Sequence, residues 1–160
     1  MLNTKLIKQK IDLIQTDLER LIEFKQFTFD EMAQDYIKYA ALKNFLMEII
    51  GRSIDINEHI IAKLGKEHNL SPKDYRETFL QLSELKILPA EFAKTIANSA
   101  GFRNAIVHEY NNLNKNIVYK TVGEAIEQHN DYCNYILEFL EQRRTEIDPA
   151  PSLYYKEGAG

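Results

Sequence analysis

The sequence has only one cysteine, Cys133, and this limits the kinds of site that it can build. A single thiol excludes a disulfide bond within the chain, and it cannot supply the thiolates of a cysteine-based zinc site. His129 stands four residues before Cys133, a spacing suited to metal ligands on a helix, but no second pair completes a ligand set. We therefore expect no metal, no cofactor and a reducing compartment.

The sequence also lacks a basic excess and a long apolar run. Its formal net charge is -4 at pH 7, whereas proteins whose whole surface binds polyanions are normally basic, although a small basic cleft is compatible with that total. Charged residues interrupt the N-terminal segment every few positions. This segment therefore has neither the apolar centre of a secretion signal nor the length of a membrane span, and we expect a cytoplasmic protein without a membrane partner.

The composition that is present suits one compact helical domain. Of the 160 residues, 44% are hydrophobic and 28% are charged, which is typical of a globular chain with a real core. Apolar residues recur every three or four positions, and no segment alternates as a strand does. We predict an all-α, up-and-down helical bundle of about five helices with one long helix. It occupies residues 1–145, and a flexible C-terminal tail follows at 146–160.

Capping residues predict where the helices begin. Thr28 is followed three positions later by a glutamate, a capping-box pattern that opens a long helix running without a break to Leu64. After a short helix, Pro89 opens the helix that carries the residues of most interest, and we expect this helix to reach Tyr110. A second capping-box pattern at Thr121 predicts the start of the last helix.

The stretch GFRNAIVHEYNN, residues 101–112, places charged and polar groups on this otherwise apolar helix. At about 100° per residue, Arg103 falls within roughly 40° of the apolar stripe. A buried guanidinium needs a partner, so one interpretation is an ion pair with Glu48 or Asp55. His108 projects about 140° from Arg103, so the two residues act on one ligand only if the helix ends or distorts, or if a second chain supplies one of them.

The order Arg-Asn-x-x-x-His-x-Tyr, in a late helix of an all-helical chain, resembles the HEPN superfamily and within it the HepT-like toxins. The signature positions are Arg103, Asn104, His108 and Tyr110. The resemblance implies a homodimeric ribonuclease, alone or within a larger hetero-oligomer, whose two motifs meet in a cleft between the chains. It also implies a partner, an MntA-like minimal nucleotidyltransferase that acts as antitoxin by transferring AMP onto Tyr110.

The chemistry of these residues agrees with metal-independent endoribonuclease activity. Histidine side chains have an unperturbed pKa of about 6.5. His108 is therefore suited to exchange a proton with the 2'-hydroxyl or with the leaving 5'-oxygen, which gives a 2',3'-cyclic phosphate. Arg103 is suited to grip phosphate oxygens in a bidentate fork, and Asn104 and Tyr110 would position the RNA. The alternative is a non-catalytic helical interaction module that binds a nucleotidyltransferase partner, with Arg103 and His108 at the interface.

Overall fold

The computed structural model describes residues 1–108 and 113–147, and these form an all-α bundle without a β-strand. The predicted fold class is confirmed. A short 3₁₀ turn, Lys66–His68, follows the third of seven described α-helices. The helices are α1 Thr4–Phe24, α2 Phe29–Gln34, α3 Tyr36–Leu64, α4 Tyr75–Glu84, α5 Ala90–Ile96, α6 Asn98–His108 and α7 Lys115–Ile147. None of the described helices combines the length and the apolar composition needed to cross a lipid bilayer.

Three long helices form the frame of the bundle. α1 packs along α3 and α7, while α4, α5 and α6 pack together and α4 and α6 also lie against α3. The apolar residues of α1 recur at intervals of four and three, which places one continuous stripe in the core. The buried members of this stripe are Ile7, Ile11, Ile14, Leu18 and Leu21. The packing positions α6 against both α3 and α4, and these contacts decide what surrounds its polar residues.

The helix predicted to run from Thr28 to Leu64 is divided at Asp35. Thr28 caps α2 as predicted, because its Oγ1 accepts a hydrogen bond from the backbone N–H of Glu31 at 3.1 Å. Asp35 then adopts an extended conformation and caps α3, where its carboxylate accepts hydrogen bonds from the backbone N–H groups of the second and third helical residues at 3.0 and 3.2 Å. The apolar pattern continues across this break, so periodicity alone does not predict it.

Two further boundaries differ from the prediction. The helix opened by Pro89 is divided at Ala97 into α5 and α6. The last helix begins at Lys115 and not at Thr121, because Asn114 Oδ1 accepts hydrogen bonds from the backbone N–H groups two and three positions later, at 2.9 and 3.4 Å. The Thr121 hydroxyl instead donates to a carbonyl one turn earlier inside α7. α7 reaches Ile147 and so includes the first two positions of the predicted tail, whereas residues 148–160 lie outside the described residues.

A chain of buried hydrogen bonds connects α7, α3 and α4. The Tyr132 hydroxyl donates towards Asn57 Oδ1 at 2.6 Å and the Ser53 carbonyl oxygen at 3.0 Å. Asn57 Nδ2 donates to Thr78 Oγ1 at 3.1 Å, and the Thr78 hydroxyl donates to the Tyr75 carbonyl oxygen at 2.6 Å. Burial raises the pKa of Tyr132 well above its usual value, so the hydroxyl keeps its proton. The chain fixes the first turn of α4 relative to α3 and α7.

A second buried polar group, His129, lies on α7. Its Nδ1 donates to the Ala125 carbonyl oxygen at 3.1 Å, whereas its Nε2 has no hydrogen-bond partner among the described residues. Burial lowers the pKa of His129 to about 4, and the hydrogen bond to Ala125 only partly opposes this. Burial raises the pKa of the nearby Cys133 thiol to about 12. Both side chains are therefore neutral at pH 7, and the thiol is not a nucleophile.

We predict that Tyr132→Phe destabilises the bundle by about 1–3 kcal/mol, because it leaves the buried Asn57 Oδ1 without its hydrogen-bond donor. The free energy of unfolding in urea, followed by circular dichroism, measures the loss. Tyr36→Phe is the matched control, since the Tyr36 side chain is 80% exposed. Equal stability of the two variants would contradict a stabilising role for the buried chain.

We also predict that the buried His129 makes the free energy of unfolding fall at acidic pH. Its folded-state pKa of about 4 lies below the unfolded value, so the unfolded chain takes up the proton first as the pH falls. Above pH ~6.5 this titration does not change the free energy of unfolding. Below that pH the free energy of unfolding falls, by on the order of 3 kcal/mol as the pH approaches 4. Urea unfolding at several pH values should show a flatter profile for His129→Leu than for the exposed control His68→Gln. Parallel profiles would rule out this contribution.

Candidate functional site

α6 carries three of the four residues that the sequence motif singles out. Arg103 is half-buried, whereas Asn104 and His108 are exposed. The fourth residue, Tyr110, lies outside the described residues. The core-facing side of α6 is formed by Ala100 and Ile106, which are buried. The motif therefore lies along the flank and the outer side of a short helix.

The helical geometry separates Arg103 from His108. α6 is helical at every position from Arg103 to His108, so a distortion between them does not turn the two side chains to one face. On a regular helix their directions differ by about 140°. Neither side chain has a hydrogen-bond or ion-pair partner among the described residues. The imidazole of His108 consequently has no neighbour in its own described chain that would orient it for proton transfer.

Arg103 lies near a tyrosine ring and a glycine. Its guanidinium carbon lies 5.4 Å from the centroid of the Tyr75 ring, within the range of a cation–π interaction. Gly51 of α3 is also close, because an added Cβ there would lie 3.5 Å from Arg103 Nε. The Nε atom is buried and has no hydrogen-bond partner among the described residues. Packing and the ring face hold this cation.

The ion pair between Arg103 and Glu48 or Asp55, expected as one interpretation of the sequence, does not form. Glu48 pairs with Arg52 at 3.1 Å and Asp55 pairs with Lys10 at 3.3 Å. Glu48, Arg52 and Asp55 line a cavity of about 220 Å³ beside α6, together with Arg103. Its lining residues are Met47, Glu48, Gly51, Arg52, Ile54, Asp55, Glu58, Tyr75 and Arg103. Glu48 and Asp55 of α3 are therefore near Arg103 but are paired with other cations.

The two arginines of this cavity differ in their partners. Arg52 forms ion pairs with Glu48 and with the buried carboxylate of Asp17. Arg103 has no carboxylate partner in the part of the chain that the structure describes. Three carboxylates line the cavity against two guanidinium groups. A single chain therefore offers no net attraction for a polyanion here, although the terminal Nη groups of Arg103 have no hydrogen-bond partner among the described residues.

Tyr75 is the part of this site that the sequence analysis missed. It is the first residue of α4 and follows Asp74, whose carboxylate accepts a hydrogen bond from the backbone N–H of Glu77 at 2.8 Å. Only the Asp74 cap has a sequence signature. No spacing rule relates Tyr75 to Arg103, because their contact depends on how α4 packs against α6.

The remaining sequence candidate, the pair His129 and Cys133, lies in the core of α7. Both side chains are fully buried. Residues 1–108 and 113–147 contain no group of three or more histidine, cysteine, aspartate or glutamate side chains placed to hold a metal ion.

Comparison with known proteins identifies the family. Residues 14–136 match the family described as "Ribonuclease HepT-like". The protein named "tRNA nuclease HepT" from Aphanizomenon flos-aquae (strain 2012/KM1/D3) is 32% identical over 145 residues. The match covers 89% of this chain and 95% of that relative.

Solved structures share the fold at lower identity. The tri-AMPylated HEPN toxin of Shewanella oneidensis, determined in complex with MNT antitoxin, has a TM-score of 0.73 at 22% identity, covering 83% of this chain and 97% of that chain. The cytosolic protein YutE of Bacillus subtilis, whose function is unknown, has a TM-score of 0.75 at 16% identity, covering 93% and 96%. The family match and the 32% identical relative both span most of the sequence, and this chain therefore belongs to the HepT-like ribonuclease family.

Proposed function

We propose that this protein is the ribonuclease toxin of a toxin–antitoxin system and that it cleaves RNA without a metal ion. The observation that carries the proposal is Arg103, a half-buried guanidinium without a carboxylate partner among the described residues, on the same helix as the exposed His108. Membership of a ribonuclease family supports the assignment. Transfer RNA is the first substrate to test, because the 32% identical relative is a tRNA nuclease. We expect the protein to act in the cytoplasm.

The proposed reaction is an internal transesterification. The 2'-oxygen attacks the adjacent phosphorus, the bond from phosphorus to the 5'-oxygen breaks, and the products end in a 2',3'-cyclic phosphate and a 5'-hydroxyl. His108 takes the proton from the 2'-hydroxyl or gives one to the leaving 5'-oxygen. Arg103 donates hydrogen bonds to the phosphate oxygens as their charge develops. Exposed Asn104, one residue further along α6, positions the RNA.

We propose that two copies of the chain form the cleft. Arg103 and His108 project about 140° apart on a regular helix, so one α6 does not present both to the same phosphate. A second copy brings the complementary residue of the pair. The expected assembly is a homodimer, alone or within a larger hetero-oligomer with the antitoxin.

We further propose that an MntA-like nucleotidyltransferase silences this toxin by transferring AMP onto Tyr110. The Shewanella oneidensis neighbour is a tri-AMPylated HEPN toxin in complex with MNT antitoxin. Tyr110 follows His108 by two residues in the sequence, so a nucleotide on its hydroxyl would add bulk and negative charge close to the motif. These would occlude the cleft and compete with RNA for Arg103.

We predict that Arg103→Ala and His108→Ala each lower RNA cleavage by about 10²- to 10⁴-fold, because each removes one half of the catalytic pair. Cleavage of total tRNA, followed by gel electrophoresis, measures the effect, and excess EDTA should leave wild-type cleavage unchanged. His68→Ala is the matched control for an exposed histidine. Undiminished cleavage by a folded variant would show that the residue is structural. Activity lost to EDTA and restored by magnesium would count against the mechanism.

Mixing the two inactive variants tests the cleft between chains. If Arg103 of one chain works with His108 of the other, each mixed dimer keeps one intact cleft and partial cleavage returns. Subunit exchange is checked by mass spectrometry of the mixed dimers. A monomer in sedimentation, or no recovery in confirmed mixed dimers, would refute the two-chain arrangement. Antitoxin binding without any RNA cleavage by the wild type would instead favour a non-catalytic interaction module.

We predict that Tyr110→Phe retains RNA cleavage but is no longer silenced by the transferase and ATP. The competing tyrosines are less available: the Tyr119 hydroxyl donates to the Phe27 carbonyl oxygen at 2.5 Å, Tyr132 is fully buried, and Tyr135 packs within the bundle. Intact-mass measurement followed by peptide mapping locates the AMP. Finding it on one of these three tyrosines, or silencing of Tyr110→Phe by modification, would refute the assignment.

A further inference from the structure

We infer that Tyr75 is a positioning residue for the proposed ribonuclease site, because its ring holds the guanidinium of Arg103. The inference rests on the proposed function and adds a residue outside the motif helix. The Tyr75 side chain remains 41% exposed, so the contact lies at the edge of the cavity and close to where a phosphate would reach Arg103. The guanidinium carbon is 5.4 Å from the ring centroid.

A ring suits this task better than a carboxylate does. A carboxylate would occupy the N–H donors of Arg103 and compete with the phosphate for them. The face of an aromatic ring attracts the cation through its π electrons and leaves the in-plane N–H groups for hydrogen bonds. Gly51 of α3 also lies near Arg103, where an added Cβ would stand 3.5 Å from the Nε atom. The guanidinium thus lies at the ring while no carboxylate among the described residues takes up its charge.

The position of Tyr75 is itself fixed from behind. Its carbonyl oxygen accepts the 2.6 Å hydrogen bond from the Thr78 hydroxyl. Thr78 Oγ1 in turn accepts from Asn57 Nδ2, whose side-chain oxygen is bonded to the Tyr132 hydroxyl. Asn57, Thr78 and Tyr132 are all buried, so no exposed segment has to be ordered for the chain of bonds to form. The ring of Tyr75 therefore projects from a rigid first turn of α4.

A second contact ties the same turn of α4 to α6. Arg76 Nη1 donates to Asn98 Oδ1 at 2.7 Å, where α6 begins. Two neighbouring residues of α4 thus contact α6, one at its start and the other at Arg103. Together these contacts hold α6 against α4 in one orientation. A residue that binds a reacting phosphate, as we propose for Arg103, requires such a fixed orientation.

The experiment compares Tyr75 variants in RNA cleavage. Tyr75→Phe keeps the ring and should retain wild-type kcat. Tyr75→Leu should lower kcat by about tenfold with KM nearly unchanged, because the interaction with Arg103 matters most as charge develops on the phosphate. Tyr36→Leu is the matched control: Tyr36 is also the first residue of its helix and is 80% exposed. If circular dichroism shows that the Tyr75→Leu variant is unfolded, Tyr75→Gln is used in its place.

A second measurement separates this inference from the proposed function. The NMR signal of the Arg103 Nε–Hε group, assigned by its disappearance in Arg103→Ala, should be shifted by the Tyr75 ring current. It should move towards its random-coil position in Tyr75→Leu but not in Tyr75→Phe. An unmoved signal, unchanged kcat in Tyr75→Leu, or a rise in KM alone would overturn the positioning role. If the wild type cleaves no RNA while the signal moves as expected, the proposed ribonuclease function is refuted. The contact of the Tyr75 ring with Arg103 is then still supported.

Discussion

The Tyr132 hydroxyl must find its hydrogen-bond partners inside the protein, because the side chain is fully buried at the centre of the bundle. Its partners on α3 are Asn57 Oδ1 and the Ser53 carbonyl oxygen. Asn57 Nδ2 in turn donates a hydrogen bond to Thr78 on α4. A buried polar group costs least when every member of its network is satisfied. This requirement sets where α4 lies, and α4 in turn sets what faces the motif helix.

Charge is distributed unevenly around that helix. α3 presents three carboxylates to the cavity beside Arg103, and two of them, Glu48 and Asp55, pair with Arg52 and Lys10. An ion pair for Arg103 would have offset the cost of partly burying it, so the absence of one among the described residues costs stability. Polar groups left without partners in this way are characteristic of sites that await a ligand. The unpaired guanidinium is consistent with a role in binding phosphate.

Several parts of the fold were predictable from local sequence signals. The all-α class follows from the three-or-four periodicity, and the Thr28 cap follows from its glutamate three positions later. The breaks at Asp35 and Ala97 were missed because the apolar pattern runs through both. The start of α7 was misplaced because Thr121 offers the stronger local pattern, whereas Asn114 provides the cap that forms. Competing caps are separated by packing energies that a local pattern does not contain.

The sequence by itself determined the residues of the motif, the family and the helical class, because each depends on residue types at short, fixed spacings. It also determined that Arg103 and His108 diverge on a regular helix. Only the tertiary structure decided which groups surround Arg103. Three features around Arg103 arise where α3, α4 and α6 pack together. They are the nearby Tyr75 ring, the absence of a side chain at Gly51 and the ion pair of Glu48 with Arg52. Contacts between distant segments depend on how the helices share the core, and no single helix encodes that arrangement.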